Sequence, residues 1–157
     1  MKWIISMIVL CAIVLNGCAE GTNYYGGIKK TDFPEMTASN IEFVHEYKGH
    51  SDNWGAVFFV YKKKDADKLT IKKFLVYNGK DPKPTGEISI DFDAGDIMGS
   101  DSMTFTEVPE KGIYYMGSSQ GTTAIDSTVT LAVKWKENSD LIKLIPDIIE
   151  HEAEKTK

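Results

Sequence analysis

Asp91, Asp93, Asp96 and Asp101 fall in one short stretch, beside Ser100 and Ser102. Clustered carboxylates and hydroxyls of this kind can supply the roughly six to eight oxygens that a calcium ion takes. The order Asp91-Phe92-Asp93-Ala94-Gly95-Asp96 differs from an EF-hand loop, where an oxygen donor precedes the glycine. The same residues also make an ordinary acidic hairpin loop that keeps a surface solvated. His45, His50 and His151 add ring nitrogens, and the first two could meet at one end of a hairpin. No third ligand stands at a zinc spacing from them. Within Gly49-His50-Ser51-Asp52-Asn53-Trp54, His50 and Asp52 could act as ligands or as an acid–base pair. A turn accounts for every position: Ser51, Asp52 and Asn53 bond nearby backbone, and Trp54 buries its ring at a strand start.

Other catalytic arrangements find little support. There is no glycine-rich phosphate loop. Glu42, Glu46 and Asp126 offer carboxylates such as glycosidases pair, but any acidic surface does so. The chain of 157 residues has 18 basic against 23 acidic residues, a net charge of −5. Every basic residue is lysine, and lysine lacks the planar fork that grips phosphate bidentately. With the negative charge, this argues against nucleic acid as a partner. Lys62-Lys63-Lys64 and Lys72-Lys73 could touch anionic lipid or teichoic-type polymers. As charged strand ends they would instead discourage edge-to-edge pairing.

The elements that must position these groups are strands. From residue 39 the dominant hydrophobic period is two. Ile125, Ser127, Val129, Leu131, Val133 and Trp135 alternate with polar or small residues, as do Ile88, Ile90 and Phe92. Met103 and Phe105, and Ile41 and Phe43, repeat the pattern. Residues 54–61 (WGAVFFVY) are apolar on both faces, so this strand is expected to be central. In 69–77 (LTIKKFLVY) the apolar parity switches at Lys72-Lys73, where a β-bulge would return both halves to one face. Breaks are expected at 49–53, 78–82, 93–96 and 117–121. Leu141, Leu144, Ile145, Ile148 and Ile149 have helical spacing, interrupted by Pro146. A short strand over 141–145 and then a helix with Pro146 in its first turn follow. The expected fold is all-β: an antiparallel β-sandwich, Ig-like in general form, with a short C-terminal helix over the end of a 39–157 domain.

The amino terminus has its own logic. Lys2 precedes an apolar run from Trp3 to Leu15, too short at ~1.5 Å per residue to cross a ~30 Å hydrocarbon core. It suits the hydrophobic region of an export signal. The run closes on Leu15-Asn16-Gly17-Cys18, which resembles the lipobox of bacterial lipoproteins. The resemblance implies cleavage before Cys18, a diacylglycerol and fatty acid such as palmitate on that cysteine, and a membrane anchor. Leu15, Asn16 and Gly17 would be the signal-peptidase recognition residues. Residues 1–17 are then a signal peptide, and 18–38, without sustained periodicity, a flexible tether. Tyr24-Tyr25 would either touch glycan or lipid headgroups or pack back on the domain. The mature chain, 18–157, keeps Cys18 as its one cysteine and cannot form an internal disulfide.

A second likeness concerns the body. Gly49-x-Ser51-x-Asn53-Trp54 and the run Thr128-Val129-Thr130-Leu131-x-Val133-x-Trp135 resemble small exported β-sandwich lipoproteins of Bacillus-type bacteria. That likeness implies fold and location and no catalytic residue. The expected protein is a lipid-anchored, non-enzymatic module on the extracytoplasmic face of the cell membrane, or in an outer membrane if the cell is Gram-negative. It would bind an envelope protein or glycan, in an oligomeric state the residues leave open. Two other readings stand beside it: a calcium-dependent adhesion or stability module using Asp91–Asp101, and an envelope hydrolase.

Overall fold

The computed structural model describes residues 23–95, 97–122 and 128–147. Eight strands follow in chain order: β1 (Ile41–His50), β2 (Trp54–Lys63), β3 (Leu69–Tyr77), β4 (Gly86–Asp93), β5 (Met98–Phe105), β6 (Ile113–Gly121), β7 (Val129–Trp135) and β8 (Asn138–Asp147). All the pairings are antiparallel, and they join the strands into one sheet of order β5-β4-β7-β8-β1-β2-β3-β6. Its two ends, β5 and β6, come into contact, so the sheet curls until it nearly closes. The expected all-β antiparallel fold is present. Its two halves are continuous because β8 serves both: residues 138–144 pair with β7, and 145–147 pair with β1. A strand that passes from one layer to the next in this way makes a corner.

Alternation decides which side chains line the inside. Trp54, Ala56, Phe58 and Val60 of β2 face Ile88, Ile90 and Phe92 of β4 and Val129, Leu131 and Val133 of β7 in one core cluster. Trp54 meets Tyr77, Tyr114 and Trp135 edge-to-face, at ring separations of 4.9, 5.3 and 5.5 Å, an arrangement aromatic quadrupoles favour. The other parity of β2, Val57, Phe59 and Tyr61, points outward and is buried too. What covers it is the segment before β1. There a 3-10 turn (Lys30–Asp32) and a short helix, α1 (Pro34–Thr37), lay Ile28, Phe33 and Met36 over Phe59, Phe74 and Val76. Each large apolar side chain so buried contributes about 1.5–3 kcal/mol.

Several expectations are corrected here. Residues 23–38 are not a flexible tether; their apolar side chains have a sheet face to bury against. Pro146 is in β8, opposite Tyr47, and does not start a helix. A residue before proline is biased toward extended backbone, so Ile145 holds the strand. Ile148, Ile149 and the rest of the expected helix lie outside the described residues, as do Ile125 and Ser127 of the long strand. Residues 117–121 are not a break but the end of β6.

The bulge is also different. Pairing of β3 with β6 slips between Lys72 and Phe74, yet β3 stays in regular register with β2. The extra residue belongs to β6, where Gly117 adopts φ +90°. β3 therefore keeps one alternation throughout. Ile71, Lys73 and Leu75 point inward, and Phe74 and Val76 point out beneath the covering segment.

Candidate functional site

Lys73 is the buried charged residue in the core of the described structure, with 0% exposure. Its Nζ lies 3.1 Å from Asp101 Oδ2 and donates to Ser119 Oγ at 2.7 Å. The Phe92 ring centroid is 5.4 Å away. Asp101 comes from β5 and Ser119 from β6, so the three side chains lie across the place where the ends of the sheet meet. Burial pushes the Lys73 ammonium below its ordinary pKa, while the Asp101 carboxylate works in the opposite direction. A lysine beside a serine hydroxyl is one way to activate a nucleophile. Here the carboxylate, the hydroxyl and the ring face favour the charged lysine against the burial that opposes it. The arrangement works as a clamp between β3, β5 and β6.

Asp101 was expected among calcium ligands. The register places Asp91 opposite Ser100 and Ile90 opposite Asp101. Asp91 and Asp101 thus project from opposite faces of one sheet and cannot share an ion. Asp91 lies outside, bonded to Lys134 Nζ at 2.6 Å and Ser100 Oγ at 2.6 Å. The Lys134 and Ser100 donors hold its carboxyl below the usual pKa. Asp93 Oδ1 accepts the Gly95 N–H at 2.8 Å, an Asx turn. Asp96 lies outside the described residues. No group of three or more His, Cys, Asp or Glu side chains that could hold a metal occurs among the described residues.

The outer face around Asp91 has another use. Ser100, Asp91, Ala132 and Leu141 are successive partners across β5, β4, β7 and β8, one row running over four strands. Small Ala132 lowers the middle of that row. Met98 and Leu141 rise beside it, 75% and 71% exposed. The result is an open groove of about 490 Å³, lined also by Asp93 and Thr130. It offers carboxylates, hydroxyls and two apolar side chains on one face, which suits a ligand with both polar and apolar parts.

The turn at 49–54 is held as its residue types imply. Ser51 Oγ donates to Asp140 Oδ2 at 2.5 Å and accepts the Trp54 N–H at 3.0 Å. Asn53 Nδ2 donates to Asp140 Oδ1 at 3.3 Å. The His50 ring stacks on Tyr24 at 3.9 Å, and Lys48 Nζ lies 5.6 Å from the Tyr25 ring centre. The Tyr24 carbonyl accepts from Asn78 Nδ2 at 3.0 Å and lies against Gly55, where a methyl group would collide with it. His45 sits apart, beside Phe43. Of the lysine runs, Lys62 pairs with Glu42 at 3.0 Å, and Lys72 pairs with Glu35 of α1, fastening the covering segment to β3. Glu46 pairs with Lys48 at 2.8 Å, so Glu42 and Glu46 are both committed to lysines.

Lys73, expected at a charged strand end, lies in the core instead. The signal that would have found it is its place in the inward row Ile71-x-Lys73-x-Leu75. Cys18, Leu15, Asn16, Gly17, Asp126 and His151 lie outside the described residues. No helix among the described residues is long and apolar enough to cross a membrane. Comparison of the chain with family models, with curated proteins and with solved structures gave no match.

Proposed function

We propose that this protein is a lipid-anchored, extracytoplasmic binding module without enzymatic activity, held at the cell membrane through Cys18 and presenting the outer face of β4, β5, β7 and β8 to another envelope component. The anchored part of this reading rests on Lys2, the short apolar run and the Leu15-Asn16-Gly17-Cys18 quartet. The observation that carries the binding part is the inequality of the two outer faces. One is roofed by residues 23–38, and the other bears the groove with exposed Met98 and Leu141. Anchoring confines the groove near the membrane and raises its effective concentration for neighbours.

The test has two parts. Cys18→Ala should abolish fatty-acid labelling and release the protein from membranes. A photo-crosslinker at position 141 should trap one defined envelope component in living cells, and Ala132→Trp, which fills the groove, should abolish that product. Labelling that survives Cys18→Ala removes the anchor. A product unaffected by Ala132→Trp removes the groove.

A further inference from the structure

The folded body begins very close to the modified cysteine. Four residues, Ala19 to Thr22, separate Cys18 from Asn23. Five Cα steps at ~3.6 Å or less span at most about 18 Å. Tyr24 is already fixed, by its stack on His50 and by the Asn78 bond to its carbonyl. The chain therefore enters the domain at the end that carries the 51–53 turn. β2 then runs ten residues away from that end, about 33 Å at ~3.3 Å per residue. A lipid on Cys18 therefore keeps the near end within about 18 Å of the bilayer, so the domain cannot stand on the far end of β2 with its near end about 33 Å away.

The near end also has interfacial chemistry. Tyr24 and Tyr25 are half-buried, with the exposed His50 stacked on Tyr24 and Lys48 beside Tyr25. Tyrosine rings favour the headgroup layer, and a lysine there meets phosphate. We propose that the Tyr24–Tyr25–His50–Lys48 end docks on the phospholipid headgroups, so that the domain stands on the bilayer in one orientation; this rests on the anchored reading of Cys18. The expected long tether would have let the domain tumble freely. Four intervening residues make the anchored end a contact surface.

The full chain, purified from membranes with its lipid, is reconstituted into phospholipid vesicles carrying a headgroup-level quencher. Cys18 is blocked by the lipid, so an introduced cysteine takes a single fluorophore. A label at Asp52→Cys, on the near turn, should be quenched several-fold more than one at Lys64→Cys, beyond the far end of β2. Replacing Tyr24 and Tyr25 by serine should shrink that difference while the lipid stays on Cys18 and the vesicles still retain the protein. Equal quenching at both positions, with the lipid confirmed by mass, overturns the docking alone. A mass without lipid on Cys18 overturns the anchored reading and the docking with it.

Discussion

The two halves of the sheet share an inner core but differ on their outer faces. On β2 and β3 the outward Val57, Phe59, Phe74 and Val76 are buried beneath Ile28, Phe33 and Met36. On β4 and β7 they are Ser89, Asp91, Thr130 and Lys134, which meet water. The same antiparallel geometry thus supports a three-layer arrangement on one side and a two-layer one on the other. The difference shows that a strand apolar on both faces reports a cover as well as a central place. Among the described residues the cover lies over the outer face of β2 and β3, and the face of β4 and β7 is clear of it.

Removing the cover should have the largest effect. A chain beginning at residue 39 exposes the outward apolar row of β2 and β3, a patch of the kind that drives association. Its soluble yield should collapse, and light scattering should show aggregates where the covered protein is monodisperse. If that chain unfolds cooperatively at the normal midpoint, the cover is dispensable.

Single substitutions on the two outer faces sharpen the contrast. Phe59→Ala should cost about 3–5 kcal/mol in urea unfolding, from lost transfer energy and a cavity against Phe33 and Phe74. Thr130→Ala, at an exposed outward position of β7, should stay within about 0.5 kcal/mol. Equal losses at the two positions would mean that the faces are energetically alike.

The Lys73 clamp ties the halves together on the inside, and it can be tested from each partner. Asp101→Ala leaves a buried ammonium with less compensation and should cost about 1–3 kcal/mol, below a fully dry pair because Asp101 is partly exposed. Lys73→Met fills the same space without charge but leaves Asp101 unpaired; because solvent reaches Asp101, it should cost less than Asp101→Ala, within about 1 kcal/mol. Lys73 has a folded-state pKa below its unfolded value. As pH rises through the lowered pKa toward the ordinary lysine value, the unfolded chain binds more protons, and this residue's contribution to stability rises. Tyr114 acts oppositely: burial raises its pKa to about 12, so stability falls once unfolded tyrosine ionises near 10. Urea midpoints from pH 7 to 10 should climb relative to Lys73→Met. A flat difference would show that Lys73 keeps its ordinary pKa.

The smallest effect on stability should come from the groove. Leu141→Asp should shift the urea midpoint by less than the equivalent of about 0.5 kcal/mol while removing the product trapped by a photo-crosslinker placed at position 98 on the same groove. A large loss of stability would show that Leu141 holds the fold rather than a ligand.

Strands were legible wherever one face is wet. The alternation of Ile88, Ile90 and Phe92 and of Val129 to Trp135 places β4 and β7 because water on one side enforces a period of two. The cover was not legible. Ile28, Phe33 and Met36 follow no period, since a short irregular segment needs only three anchors to fit a sheet already built. Its presence in turn hid Lys73. With Phe74 and Val76 buried outside, the parity of β3 looked switched, and a bulge in β3 seemed to mend it. The acidic stretch misled for a related reason. Nearness along the chain suggested a common site, but strand register sends Asp91 and Asp101 to opposite faces. Asp101's partner lies two strands earlier in the chain, and no local pattern points to it.

The corner strand has a consequence for the order in which the molecule can be completed. β8 is the last of the described strands, and its partners are β1, the first of them, and β7. Until it arrives, β1-β2-β3-β6 and β5-β4-β7 are separate sheets with no ladder between them. The two sheets therefore cannot be joined by a ladder before residues 138–147 are free to pair. The arrangement delays closure of the sheet until β8 is in place.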